Sequence, residues 1–102
     1  MGLYLIEHTH TADKCPRQSL ATARQFFDHL TEANAAKFGV RIVADWNNAD
    51  DHHLVLIVEA PDQPTVAKFA NPLATVGSVM IHEGTTCAET AERTFAAVSK
   101  AA

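Results

Sequence analysis

The segment His53–Glu59, HLVLIVE, constrains this chain most, because it holds an unbroken aliphatic run, Leu54–Val58, without glycine or proline. A run of that length and composition is a strand, so a sheet has to be built around it. Three other segments read the same way. Leu3–Thr9 opens on Tyr4 and Ile6, Val40–Trp46 is rich in β-branched residues but alternates less cleanly, and Ser78–Glu83 completes the set. Asn47-Asn48-Ala49-Asp50-Asp51 is a turn signal between the second and third of these strands.

Helical spacing separates the other strands. Ser19 is a good N-cap ahead of Leu20, Ala23, Phe27 and Leu30, which predicts one helix running to about Ala36 and stopping before Gly39. Asp62 caps a second helix with Pro64 in its first turn, where the missing N–H costs nothing. Val66, Phe69 and Ala70 are its apolar face, Asn71-Pro72 interrupts it, and Leu73–Val76 adds a turn before Gly77. Ala88–Ala101 is a last helix with Ala91, Phe95 and Val98 on one side.

The chain of 102 residues suits one domain, residues 1–102, around one core. Its order β-α-β-β-α-β plus a terminal helix is the ferredoxin-like plan, an α+β fold whose right-handed crossovers give an antiparallel sheet in the order 4-1-3-2. In element order and length the chain resembles the dimeric α/β-barrel superfamily, small proteins whose sheets pack face to face across a dimer. The resemblance implies a homodimer, and a domain this small gains stability by covering an apolar sheet face with a second copy. That superfamily includes haem-handling oxygenases, cofactor-free monooxygenases, lactone isomerases and dehydratases, so the resemblance assigns no reaction.

Charge excludes some partners. Eight Lys and Arg are scattered among twelve Asp and Glu, for a formal net charge of −4, whereas nucleic-acid binding needs a basic stripe. No apolar run approaches the roughly 20 residues of a membrane span. Met1–Ile6 is too short for a signal h-region and leads into Glu7 and His8. These features read as a cytoplasmic protein with no membrane partner and with Cys15 and Cys87 kept as thiols.

The chain carries six histidines, and five fall in strands or their flanks. His8 and His10 are two apart and share a face. The 4-1-3-2 order brings the end of the first strand beside the start of the third, with His52-His53, and beside the fourth, with His82. Cys15 follows in a loop that can fold back over that end. His8, His10, Cys15, His53 and His82 are therefore the candidate metal set, with His52 as the alternative to His53. Imidazole and thiolate together suit Zn²⁺, Cu⁺ or Ni²⁺. Three ligands and an open position would suit catalysis, and four a structural or storage site. His29, in the first helix, reads as a surface residue.

Three alternatives stand beside metal or small-ligand binding. One is a metal-free enzyme of isomerase or monooxygenase type, using a histidine with Glu7, Glu83, Asp45, Asp50 or Asp51 as an acid–base pair. The second is a haem-binding protein with one histidine as axial ligand. The third is a structural or interaction module in which the imidazoles are merely solvated at a polar strand end. The residues leave open whether the protein is an enzyme. The face carrying Tyr4, Ile6, His8 and His10 is expected to look into the dimer cavity.

Overall fold

The computed structural model describes residues 1–101. Its four strands are β1 (Gly2–Thr9), β2 (Arg41–Asn48), β3 (His53–Ala60) and β4 (Ser78–Gly84). Its four α-helices are α1 (Leu20–His29), α2 (Glu32–Lys37), α3 (Gln63–Ala70) and α4 (Cys87–Ala101). The sheet runs β2-β3-β1-β4, which is the order 4-1-3-2 read from the other edge, and every neighbouring pair is antiparallel. The expected α+β class and four-stranded antiparallel sheet are therefore observed.

Strict alternation in the two central strands decides the layers. Tyr4, Ile6 and His8 of β1, with Leu54, Leu56 and Val58 of β3, are buried under Phe26, Ala35, Val66, Phe69 and Leu73. The expectation that this face looks into a dimer cavity is corrected: the helices cover it. Leu3, Leu5 and Glu7 point to the other, open side together with His53, Val55 and Ile57. A register shift between Ile42 and Ala44 places Ile42 in the core and Ala44 and Trp46 opposite Ile57 and Val55 of the open side. That bulge is the reason β2 alternates poorly in sequence.

Two helix expectations also change. The single helix from Ser19 to about Ala36 is broken at Thr31, whose extended backbone starts α2. Its hydroxyl accepts from the Asn34 amide at 3.2 Å and donates to the Asp28 carbonyl at 3.1 Å. Local side-chain bonding of this kind competes with continuation of the helix. In α1 the buried ring is Phe26, while Leu20 and Phe27 are exposed, so the inward face is Ala23, Phe26 and Leu30. The Ser19 and Asp62 caps form as expected, accepting from Thr22 and Thr65 amides at 3.0 and 2.9 Å.

α4 begins at Cys87 and leaves its apolar side open, with Phe95 and Val98 70% and 61% exposed. It projects from the sheet and helps to stretch the chain to 59 × 28 × 18 Å. The radius of gyration of 16.3 Å exceeds the roughly 13 Å of a compact chain this long.

Gly77 joins the 3-10 segment Asn71–Val76 to β4 at φ +150°, and a Cβ there would lie 2.2 Å from the Thr9 carbonyl and 2.9 Å from His8 Nε2. A Gly77→Ala variant is expected to lose at least about 2 kcal/mol, from overpacking and backbone strain combined. Urea denaturation checks this, and an unchanged midpoint would show that the crossing relaxes freely.

Candidate metal centre

The site is built from three segments at the polar end of β1 and β3. The β1–β3 register ends at Thr9 and His53, and the pairing continues one step beyond, with the His10 amide donating to the His52 carbonyl at 3.2 Å. Alternation then puts His10 with His8, and His52 with Leu54, on the helix-covered side. His52 closes the β2–β3 turn in the left-handed region, at φ +52°. Its amide donates to the Ala49 carbonyl at 3.3 Å, while the Asn48 and Asp51 side chains bond at 3.0 Å within the same turn. A left-handed histidine costs on the order of 1 kcal/mol and persists where its surroundings demand it.

Cys15 lies between two short 3-10 turns, Ala12–Lys14 and Pro16–Gln18, and is buried. Gln18 fastens the loop to itself by donating to the Ala12 carbonyl at 2.8 Å. Arg17 straps the loop to the β2–β3 turn by donating to the Ala49 carbonyl at 3.0 Å. The strap brings Cys15 over the two imidazoles. One ligand atom from each of His10, Cys15 and His52 lies within 4.8 Å of the others, and His10 Nε2 is 3.1 Å from His52 Nδ1. A cavity of about 30 Å³ adjoins them, lined in part by His8, Arg17 and Phe26, and that is room for an ion and one water-sized ligand.

The electrostatics favour the forms that bind metals. Burial lowers the pKa of His8, against the opposing pull of the Leu73 and Val76 carbonyls. Burial also lowers that of His10, helped by the positive potential of His8, His52 and Arg17. The Cys15 thiol is lowered chiefly by its hydrogen bond from Arg17. Neutral imidazoles and an acidified thiol are what a transition metal needs at neutral pH.

The candidate residues separate by face. His10 and Cys15 come together with His52, not with His53. His8 lies beside them, its ring 5.4 Å from His10 and 5.3 Å from Phe26. His53 points to the open side, where its Nε2 is 2.9 Å from a Glu7 carboxylate oxygen and its ring is edge-on to Trp46 at 5.2 Å. His82 is exposed on that same side, paired across the ladder with Leu5. The signal that selects His52 was present in the sequence: Glu7 and Glu59 mark the odd-numbered positions of β1 and β3 as the open side.

His29 is half-buried and bonded through both ring nitrogens, not a solvated surface residue. Its Nδ1 accepts from Asn34 Nδ2 at 3.1 Å, so its Nε2–H donates to the Phe69 carbonyl at 2.6 Å, and its ring stacks on Phe69. Both nitrogens are used, which leaves none for a ligand. Arg17 was missed from sequence, because nothing local marks a loop arginine as the strap to a turn 32 residues away.

No family model, curated protein or solved structure matches this chain.

In metal-free protein carrying Cys87→Ser, the ultraviolet thiolate absorbance of Cys15 is expected to titrate below an ordinary cysteine and to shift upward in Arg17→Ala. Equal midpoints in the two proteins would remove Arg17 as the cause.

Proposed function

We propose that this chain binds a transition metal, holding one Zn²⁺ or Cu⁺ ion through His10 Nε2, Cys15 Sγ and His52 Nδ1. The observation that carries this reading is the convergence of those three donors, from three segments, on one small cavity. Two imidazole ligands on a tetrahedral ion with bonds of 2.0–2.1 Å lie about 3.3 Å apart, close to the 3.1 Å between His10 and His52. Two imidazoles and a thiolate suit a borderline or soft ion such as Zn²⁺ or Cu⁺. A cavity of about 30 Å³ favours an ion over a porphyrin or an organic substrate, so binding is preferred here to haem or isomerase chemistry. The His53–Glu7 pair on the open side is the rival seat of acid–base chemistry.

The wider reading is a ferredoxin-like domain that forms a homodimer of the dimeric α/β-barrel type, supported by the element order and the strand order. The open sheet face, with Trp46 and Met80 50% and 53% exposed, is the surface a second copy would cover. A cytoplasmic location fits Cys15 and Cys87 as free thiols, and among the described residues no helix is long and apolar enough to cross a membrane.

Titration of untagged protein with Zn²⁺ and, anaerobically, with Cu⁺ is expected to show one ion per chain. Affinity should fall in Cys15→Ser and His52→Ala by more than the 10–100-fold (about) that loss of an outer-sphere partner costs. His53→Ala and His82→Ala should bind as the parent does. No uptake of either ion sinks the proposal, and loss of uptake in His53→Ala would move the site to the open side.

Sedimentation equilibrium is expected to give twice the 11.0 kDa chain mass, falling to a single chain in Met80→Lys. A parent protein that sediments as one chain would refute the dimer.

A further inference from the structure

We propose that His8 serves the metal centre as the outer-sphere partner of His10, accepting its Nδ1–H and thereby fixing which nitrogen of His10 meets the ion. This rests on the metal reading above and assigns the one fully buried histidine a positioning role.

The argument starts from two orphans. His8 is wholly buried, and its Nε2 lies 3.1 Å from the Leu73 carbonyl. A carbonyl can only accept, so the proton of neutral His8 is on Nε2 and its Nδ1 is a bare lone pair. That Nδ1 is buried and has no partner. His10 has the complementary problem: its Nδ1 is also buried and unpartnered, while its Nε2 faces His52. Once an ion takes Nε2, the proton of a neutral His10 has to reside on Nδ1. A buried N–H without an acceptor costs about 1–3 kcal/mol.

The His8 lone pair is the acceptor at hand. The two rings are two residues apart on one face of β1, their centroids 5.4 Å apart and tilted by 40°. Both line the same cavity of about 30 Å³, so the bond is made by a small ring rotation or through one water. A chain of orientation then runs from the Leu73 carbonyl through His8 and His10 to the ion. Ligating histidines commonly give their second N–H to such a partner, which sets ring direction and raises basicity.

The competing role, His8 as a fourth ligand, explains less. It would satisfy the His8 lone pair but leave the His10 Nδ1–H buried without an acceptor. His8 also falls outside the group whose ligand atoms lie within 4.8 Å of one another. Hydrogen bonding between the imidazoles removes both orphans at once.

Long-range ¹H–¹⁵N NMR of the Zn²⁺-loaded protein tests the assignment directly. Protonated Nδ1 and metal-bound Nε2 are expected for His10, and protonated Nε2 with unmetallated Nδ1 for His8. His8→Phe, which keeps a ring but no acceptor, should weaken Zn²⁺ binding by about 10–100-fold, and His8→Asn, which restores an acceptor oxygen, should recover much of it. Thermal unfolding of the metal-free variants separates this loss from a folding defect, and the wild-type spectrum decides the point even if His8→Phe does not fold. A metal-bound His8 Nδ1, or parental affinity in folded His8→Phe, overturns the inference while leaving the metal reading intact. Absence of Zn²⁺ and Cu⁺ uptake by the wild type overturns both.

Discussion

A fully buried imidazole in the central strand has to place its N–H on an acceptor, and the connection between α3 and β4 is shaped around that need. His8 Nε2 meets the Leu73 carbonyl, which is presented inward because the segment Asn71–Val76 is a 3-10 turn begun by Asn71-Pro72. Gly77 then crosses so near to His8 and Thr9 that no side chain fits. The same contact seats Leu73 in the core beside Ile6, Phe69 and Leu56. One polar bond thus ties β1 to the far crossover, and an unpaired N–H in its place would cost a sizeable fraction of the stability of a small domain.

The sheet around this bond was legible because period-2 patterning is a local property. His53–Glu59 and Leu3–Thr9 declare themselves strands, and Glu7 and Glu59 mark the open face. The helices were legible in existence but less so in detail. Phe26 and Phe27 are equally apolar, and only tertiary packing turns Phe26 inward. Thr31 looks like an ordinary helical residue until its hydroxyl is seen to cap α2. The topology correctly drew histidines toward one end of the sheet, yet proximity along the sheet is not proximity through it. His53 and His82 lie near that end or along the neighbouring strand but on the opposite face. The left-handed turn at His52 and the reach of Arg17 depend on contacts between distant segments, and no sequence window contains them.

Costs accumulate at the His10–Cys15–His52 end. A non-glycine residue sits at positive φ, two buried ring nitrogens lack partners, and a thiol is drawn toward its charged form beside a guanidinium. The positive φ and the two orphan nitrogens are unfavourable in a fold that needs only to pack, the Arg17-paired thiol is a charge held ready beside them, and local departures of this kind concentrate where a structure has work to do. A bound cation would neutralise the thiolate and, by taking His10 Nε2, would direct the His10 proton to Nδ1, where the unpartnered His8 Nδ1 can accept it.

The donors come from the end of β1, the loop after it and the β2–β3 turn, so an ion bound there closes two loops at once. Arg17 already holds those loops together by a single exposed bond to the Ala49 carbonyl, which by itself contributes only about 0.5–1.5 kcal/mol. The metal-free arrangement is therefore close to the liganded one but loosely held. An ion that binds this folded arrangement and not the unfolded chain stabilises it in proportion to its occupancy, and its gain is largest in the loops that have the fewest other bonds. Affinity at such a centre depends as much on the strap and the buried His8 behind it as on the three atoms that touch the metal.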